Sequence, residues 1–486
     1  METKVSKIDW LILFCCLLLG ILAEESFFRG LIGISYIVFI MAFYCVFFWR
    51  YRHFSFSHQR LGYLVLCCIW LLAISYTLND NMLFYVLNIL VIPGLVIFHL
   101  VLVTSPKKHQ WSQRAFIPYL FSRLVGAITY NVSFITALGK GMKSGVDGDK
   151  FIIWKKVLIG VIISFPVLAV VVRLLMAADS QFDRLVGDIP NWFQVVDGEG
   201  IARIVLVIIF MMAFFGLMQF LYHKQMKVFK QKDIQQIQKL DSVITITVLV
   251  LINAVYILFT IVQFKYFFSG SLQMDYTYAE YARKGFFELL FVTLINLTLS
   301  TVVLSFGGGG KNGIKRMRQT MLTILVLSSA VMLISAFIRL SMYEDAYGFT
   351  FTRVLVHSFM IFLVVILGYT LVKIWIEKLS LFRFYFIASI FYYTAISVVN
   401  LDRMVVNENI QRYQVTGKID VYYLKNLSYT GVIGLIHLYE KDKRIPELRN
   451  ILINQRREAI NANLPWQSYN LKREQAHAKL NNLDIE

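Results

Sequence analysis

The stretch MLFYVLNILVIPGLVIFHLVLV, residues 82–103, carries none of the four charged residue types. As a helix it can cross a hydrocarbon core of roughly 30 Å, because each residue adds about 1.5 Å along the helix axis. This stretch therefore predicts a transmembrane helix.

Comparable apolar stretches recur along the chain, which is 486 residues long, 58% hydrophobic and 16% charged. A soluble domain this apolar would expose large adhesive patches, so the lipid bilayer is the expected solvent. We predict an all-α fold in which residues 1–400 form a polytopic transmembrane bundle and residues 401–486 form an extracytoplasmic helical tail. The bundle has about eleven predicted spans, near 8–23, 31–49, 62–78, 82–103, 157–176, 201–222, 243–264, 285–306, 320–341, 353–376 and 381–399.

The net charge of +18 is sorted by loop. Segments 50–60, 104–156, 222–241 and 307–319 are basic, whereas segment 177–200 is acidic. Positive charge collects on cytoplasmic loops, so the pattern predicts a plasma-membrane protein with a cytoplasmic N-terminus and an extracytoplasmic C-terminus. Nucleic-acid binding is not expected, because the basic loops face the inner membrane surface and lack interleaved aromatic residues.

Two segments leave this topology open. The first span ends at Ala23 like a signal peptide, but Ile21 stands where cleavage needs a small residue, which favours a retained anchor. Residues 115–139 are long enough to cross the membrane and would then invert everything downstream. Basic residues on both sides and Arg123 within the segment favour a helix lying in the inner interface.

Known cofactor and metal motifs are not evident. The five cysteines lie inside the first three spans without CxxC spacing and are interpreted as apolar filler. The eight histidines show no metal-ligand spacing. "SFGGGGKNG", residues 305–313, lacks the Ser or Thr that follows the lysine of a phosphate loop, so a flexible inner loop is favoured. We predict no cofactor and no metal, and catalytic residues stay unknown.

The segment "YAEYARKGFFEL", residues 278–289, enters the eighth predicted span from outside. On a helix, Tyr281 and Glu288 lie on one face and Arg283 points the other way, towards the headgroups. The pattern directs Glu288 into the bundle, where a carboxylate is unfavourable unless it is paired or protonated. It is a candidate functional group, and the alternative is a structural ion pair between two helices.

The corner "RLSMYEDAYGFTFTR", residues 339–353, joins the ninth and tenth spans. Arg339, Tyr343 and Tyr347 stack on one face of the first helix. Gly348 is suited to ending that helix and Thr350 to capping the next, with His357 one turn beyond Arg353. An arginine at a helix N-terminus opposes the dipole, so Arg353 is expected to face an anion such as Glu344 or Asp345.

Two further detailed segments face the same predicted outer side. "LDRMVVNENIQRYQVTGKIDVYYLKNL", residues 401–427, alternates polar and aromatic residues, and "RLLMAADSQFDRL", residues 173–185, ends the fifth span. The simpler interpretation of the first is an interfacial collar plus a small helical domain, and that of the second is an acidic solvated loop. The convergence on one side predicts a single outer-face site, with candidate residues Asp179, Tyr281, Arg283, Glu288, Arg339, Tyr343, Glu344, Tyr347, Arg353, His357 and Asp420.

"YAEYARKGFFEL", "RLSMYEDAYGFTFTR" and "NENIQRYQVTGKIDVYYLKNLS" resemble the family called domain of unknown function 4173, a relative of 4153, found in bacterial polytopic membrane proteins. The closing "LPWQSYNLKREQAHAKL" is similar as well, and Phe349 departs from an expected leucine. The resemblance implies the family positions Tyr281, Arg283, Gly285, Phe286, Arg339, Tyr343, Glu344, Tyr347, Gly348, Thr350, Arg353, Asn409, Asp420 and Leu424. That family has no assigned activity, so the resemblance implies architecture alone.

Three function classes stay open. Transport or envelope assembly with an outer-face site comes first, although no inverted repeat is evident. A sensor or scaffold would bind a protein partner through the outer tail. An enzyme acting on a lipid-linked extracytoplasmic substrate would use the carboxylates and cations of the outer interface. The expected partners are the lipid bilayer, a lipid-linked or extracytoplasmic ligand, and a protein partner of the tail.

Overall fold

The computed structural model describes residues 6–107, 110–113, 116–142, 198–223, 240–263, 285–307, 312–462 and 464–485. These residues form α-helices and one short 3₁₀ turn at Trp466–Ser468. Their β-structure is limited to one isolated bridge between Leu240 and Gly307, which confirms the all-α prediction. The described helices are α1 Lys7–Phe28, α2 Ile34–Arg50, α3 Gln59–Leu78, α4 Met82–Thr104, α5 Phe116–Met142, α6 Gly198–His223, α7 Ser242–Gln263, α8 Phe286–Phe306, α9 Asn312–Tyr347, α10 Phe351–Trp375, α11 Leu381–Val398, α12 Leu401–Thr416, α13 Val421–Leu427, α14 Tyr429–Lys441, α15 Leu448–Asn461 and α16 Leu471–Asn482.

Nine of the described helices are long and apolar enough to cross a membrane. They are α1, α3, α4 and α6 to α11, while α2 is a shorter apolar helix. The prediction of an all-α polytopic bundle is therefore confirmed. Helix α9 is longer than the predicted span 320–341, because a helix can continue through polar residues after it leaves the hydrocarbon. The predicted span 157–176 lies outside the described residues.

The chain divides into two compact units, and the first contains residues 1–66, 94–228 and 464–469. Within it α1 and α6 run antiparallel. Gln219 Nε2 donates to Asp9 Oδ1 at 2.6 Å near one end of α1. Near the other end, Arg203 Nε lies 3.5 Å from Glu24 Oε1. This antiparallel arrangement is the one that the predicted topology requires of the first span and span 201–222.

The segment 464–469 of the tail packs against the α1–α2 connection in the same unit. Ile34 N donates to Tyr469 O at 3.1 Å. A Cβ on Gly33 would lie 2.3 Å from that same carbonyl oxygen, so only glycine allows this approach. The contact lies at the end of α1 opposite Asp9, so segment 464–469 lies on the side of this unit away from the start of α1.

Helix α5 covers the segment that was predicted to lie in the inner interface. It runs antiparallel along α6: Arg123 lies over the ring of Phe220 at 5.7 Å, and Asn131 Nδ2 donates to Met212 O at 2.8 Å. Gly126 faces Phe220 and Gly216 faces the α5 backbone, so glycines allow the two helices to approach closely. Helix α5 is not among the nine candidate spans, and its predicted location in the inner interface stays a prediction.

The second unit contains residues 67–93, 229–463 and 470–486. Apolar side chains of α7 to α10 form one core, with Leu325, Leu333 and Leu340 almost fully buried. Asn296 lies inside this core, where its amide donates to Ser329 Oγ at 3.0 Å and its oxygen accepts from the Tyr256 hydroxyl at 2.8 Å. These bonds satisfy a polar side chain that would otherwise be costly to bury.

The tail helices α12 to α16 have a second core, built on buried leucines and isoleucines. Tail residues also bind the α3–α4 turn of the same unit. Asp80 accepts a hydrogen bond from the backbone of Tyr429, and Asn470 Nδ2 donates to the carbonyl oxygens of Tyr76 and Asn79, each at 2.9 Å. The tail is thus a packed helical structure, while the predicted domain boundary at residue 400 stays a prediction.

Candidate ligand-binding groove at the α9–α10 corner

The corner between α9 and α10 has the local geometry that the sequence predicts. Gly348 adopts a left-handed conformation with φ +85°, and Thr350 Oγ1 accepts from Arg353 N at 3.4 Å as the N-cap of α10. Tyr343 and Tyr347 stack with ring centroids 4.8 Å apart, as their spacing predicts. The short connection makes α9 and α10 antiparallel neighbours.

Arg353 has different partners from the predicted carboxylate. Its guanidinium donates to Gly348 O and lies over the Tyr343 ring at 4.3 Å. The carbonyl groups at the end of α9 carry the negative end of the helix dipole, which explains how a cation is stabilised there. The prediction that Arg353 faces Glu344 or Asp345 was therefore wrong. Its partners are a backbone oxygen and the face of an aromatic ring.

Buried Glu344 of α9 pairs with partly exposed His357 of α10. Glu344 is 2% exposed, and its Oε2 lies 3.1 Å from His357 Nδ1. Arg339 is 7% exposed and packs on the start of α8, where its Nη1 lies 2.8 Å from the position of a Cβ on Gly285. Two candidate residues, Arg339 and Glu344, are thus buried just below the corner.

The inward direction predicted for Glu288 is wrong. Glu288 is exposed, whereas Leu289, Thr293 and Asn296 are buried. Successive helix residues are rotated by about 100°, so Glu288 lies well away from the buried face. The described ion pairs that involve α9 or α10 join His357 to Glu344 and Lys315 to Glu377, which follows α10, and Glu288 takes part in neither.

The remaining candidates have other positions. Tyr347 is 58% exposed at the corner. Asp420 caps α13 by accepting from Tyr423 N at 2.8 Å, which is a structural role. Asp179, Tyr281 and Arg283 lie outside the described residues.

Tail helix α12 forms hydrogen bonds with the α9–α10 corner. Asn409 Nδ2 donates to Phe349 O at 2.8 Å, and Phe349 N donates to Asn409 Oδ1 at 3.2 Å. Arg412 Nη2 donates to Ala346 O at 2.8 Å, so a cation caps the C-terminus of α9. The resemblance implied Asn409 as a family position, but sequence reasoning missed Arg412, since no local pattern links it to residue 346.

A groove of about 290 Å³ opens beside the corner. Its walls come from the starts of α8 and α10 and from the end of α9. Gly285 offers no side-chain cap to α8, and Arg353 with two threonine hydroxyls supplies polar groups. The lining residues are Phe286, Phe287, Leu340, Tyr343, Thr350, Thr352, Arg353 and Val356.

A second polar cluster, Asp80 and Asp402, lies where the tail meets the α3–α4 turn. Asn81 Nδ2 donates to Asp402 Oδ1 at 3.0 Å. Burial raises the pKa of Asp402 to about 6, and burial also raises the pKa of Asp80. Sequence reasoning missed both carboxylates, because their partners lie far away along the chain.

Together, the apolar helices and the packed corner define a multi-pass helical membrane protein. The family model described as "Domain of unknown function (DUF4153)" matches residues 66–438, and the chain belongs to that family. The family that matches is thus 4153, the relative of the family 4173 that the sequence motifs resemble. Searches of curated proteins and of solved structures find no match.

Proposed function

We propose that this protein acts in transport or envelope assembly at the bacterial plasma membrane, and that its corner groove binds an anionic amphiphile. The amphiphile is a lipid or lipid-linked molecule with a negatively charged headgroup. The proposed orientation has the N-terminus in the cytoplasm and the tail outside, in agreement with the basic loops.

The groove carries this proposal. Phenylalanine, leucine and valine side chains suit an acyl chain, while Arg353 suits a phosphate or carboxylate. The start of α8, whose N-cap Gly285 makes no side-chain cap bond, adds the positive end of a helix dipole. An apolar groove whose lining includes one cation matches a molecule with one charged end.

The test measures binding of a short-chain phosphatidylglycerol to the purified protein in neutral detergent, with the matching phosphatidylcholine as uncharged-headgroup reference. Arg353→Gln removes the cation, and Thr352→Trp fills the groove from an exposed lining position. Each variant is expected to weaken phosphatidylglycerol binding by about tenfold or more, since a hydrogen bond to a charged group contributes roughly 1.5–3 kcal/mol.

The matched controls make the same chemical changes elsewhere. Arg383→Gln changes an exposed arginine of α11, and Thr298→Trp changes an exposed threonine of α8 outside the groove lining. Both should bind like the unmodified protein. Equal binding of the two headgroups, or unchanged binding in both groove variants, would refute the proposal.

The tail supports a second candidate, the scaffold. It has its own core and forms hydrogen bonds with the α9–α10 and α3–α4 connections, as expected of a domain that presents a surface to another protein. Complementation of a deletion strain separates the two functions. Full activity of Thr352→Trp together with loss of activity in an exposed tail variant such as Lys443→Glu would favour the scaffold.

A further inference from the structure

Ser341, His357 and Glu344 form a hydrogen-bonded row across α9 and α10. Glu344 Oε2 lies 3.1 Å from His357 Nδ1, and His357 Nε2 lies 3.4 Å from Ser341 Oγ. Ser341 and Glu344 are three residues apart on α9, so both face the same side of that helix. The row is separate from the corner groove, whose lining contains none of the three residues.

The two imidazole nitrogens are used differently. A neutral His357 that donates from Nδ1 to the carboxylate has a free lone pair on Nε2, which can accept the Ser341 hydroxyl proton. This order of carboxylate, imidazole and hydroxyl is the one that activates a serine nucleophile. Glu344 is nearly fully buried, and a carboxylate in a dry environment stabilises the imidazolium that forms when the proton moves.

A backbone carbonyl lies beside the row. Ser341 Oγ is 3.1 Å from Phe337 O, the usual acceptor for a helical serine, and His357 Nε2 is 3.4 Å from the same oxygen. Rotation about the Cβ–Oγ bond moves the hydroxyl proton from this carbonyl to Nε2. The Phe337 ring lies 4.3 Å from the imidazole and restrains its plane.

The row is accessible at its serine and histidine. Ser341 and His357 are partly exposed, in contrast to Glu344. Ser341 precedes the end of α9 by six residues, which places it about 9 Å below the corner at about 1.5 Å per residue. Ester groups of membrane lipids lie at a similar position, between headgroup and hydrocarbon.

We propose that Ser341 is the nucleophile of an acyl-transfer site that acts on the ester of a membrane amphiphile. Ser341 Oγ bonds to the carbonyl carbon while its proton passes to His357 Nε2. The ester C–O bond then breaks, and the leaving alkoxide takes that proton. Water or an acceptor alcohol releases the acyl group from Ser341 by the same two proton transfers. Glu344 is a positioning residue, because it holds the tautomer of His357 without touching the substrate.

The test uses a fluorophosphonate probe on the full-length protein in detergent, with the labelled residue identified by peptide mass spectrometry. The serine oxygen bonds to phosphorus and fluoride leaves with the hydroxyl proton. We expect labelling at Ser341, its loss in Ser341→Ala, and a fall in labelling rate of about 10² or more in His357→Gln. Glu344→Gln should also label slowly, and Glu344→Asp should recover part of the rate, which a purely structural role would not produce.

The matched control is Ser358→Ala. Ser358 neighbours His357 in sequence but bonds to the Tyr392 hydroxyl at 2.9 Å, so its loss should leave labelling unchanged. Thermal unfolding of each variant separates lost chemistry from a lost fold. The proposal is refuted if the folded unmodified protein is not labelled at Ser341, or if a folded His357→Gln is labelled at the original rate. It does not depend on the groove, so lipid binding and labelling can fail separately.

Discussion

Gly348 shows how one residue sets the corner. Its φ of +85° is accessible to glycine without strain, and an added Cβ would lie 2.9 Å from Asn409 Oδ1. Gly417 also has a positive φ, +63°, but an added Cβ there meets nothing within 4 Å. An alanine at Gly417 would therefore introduce backbone strain alone, whereas an alanine at Gly348 would introduce the strain and a steric clash.

Gly348→Ala should lower the free energy of unfolding by more than Gly417→Ala. The left-handed conformation alone costs roughly 1–2 kcal/mol for an alanine, and both variants incur it. The Asn409 contact adds to this cost at Gly348 only. Thermal or denaturant unfolding in detergent measures the difference, and equal effects would mean that Asn409 moves aside without loss.

Asp402 should make tail docking depend on pH. Its pKa of about 6 in the docked tail lies above the ordinary value near 3.8, so docking favours the protonated form. Docking is therefore strongest below the ordinary pKa, weakens as pH rises to about 6, and stays constant above that. The groups facing Asp80 and Asp402 include Asn81, Lys472 and Arg473, of which the two cations limit the effect at Asp80.

The measurement compares hydrogen exchange of the tail at about pH 5 and about pH 7.5, with rates corrected for intrinsic pH dependence. The unmodified tail should be better protected at the lower pH. Asp402→Asn keeps an oxygen that accepts from Asn81 but cannot ionise. At the higher pH the tail of this variant should therefore be better protected than the unmodified tail. Its protection should also change little between the two pH values. An equal pH dependence in both proteins would contradict the assignment to Asp402.

At the scale of elements, the packing of α5 along α6 depends on small residues. A Cβ on Gly216 would lie 2.5 Å from Asn131 Nδ2 and 2.7 Å from Ala127 O. Backbone atoms of α5 cannot move away without separating the helices. Gly216 is therefore the position at which this packing is most sensitive to an added methyl group.

Gly216→Ala should lower the free energy of unfolding by about 1–3 kcal/mol through overpacking. Gly94→Ala is the matched control, because Gly94 lies within α4 and an added Cβ there meets nothing within 4 Å. An alanine in an unconstrained helix should be neutral or stabilising by about 0.5–1 kcal/mol. Similar stability of the two variants would argue against close α5–α6 packing.

At the scale of the whole molecule, we expect the N-terminus and the tail to lie on opposite sides of the membrane. In the first unit the tail segment 464–469 lies opposite the N-terminal end of α1, so the N-terminus and tail should face different compartments. The test uses a variant with all five native cysteines replaced, since Cys45 and Cys67 are exposed. Ser468 is 1% exposed and unsuitable as a reporter.

Single cysteines at Lys418 and Lys443 in the tail should react with a membrane-impermeant thiol reagent on intact cells. Cysteines at Ser55 and Lys378, in the α2–α3 and α10–α11 connections, should react only after permeabilisation. All four positions are exposed, so reactivity reports the compartment. Labelling at Ser55 and Lys378 alone would reverse the proposed orientation and place the groove on the cytoplasmic side.

The local sequence determined the helical spans, the sorted loop charge and the corner geometry of Gly348 and Thr350. These features depend on hydropathy and backbone preference within a few neighbouring residues. Only the tertiary structure decided which side chains meet: Asn409 binds Phe349 across 60 residues, and Asp80 binds Tyr429 across 349. It also decided that Glu288 faces outward, that Arg353 binds a carbonyl oxygen, and that α5 lies along α6. Such pairings depend on the rotation and close approach of packed helices, and the periodicity of one helix contains no information about its neighbour.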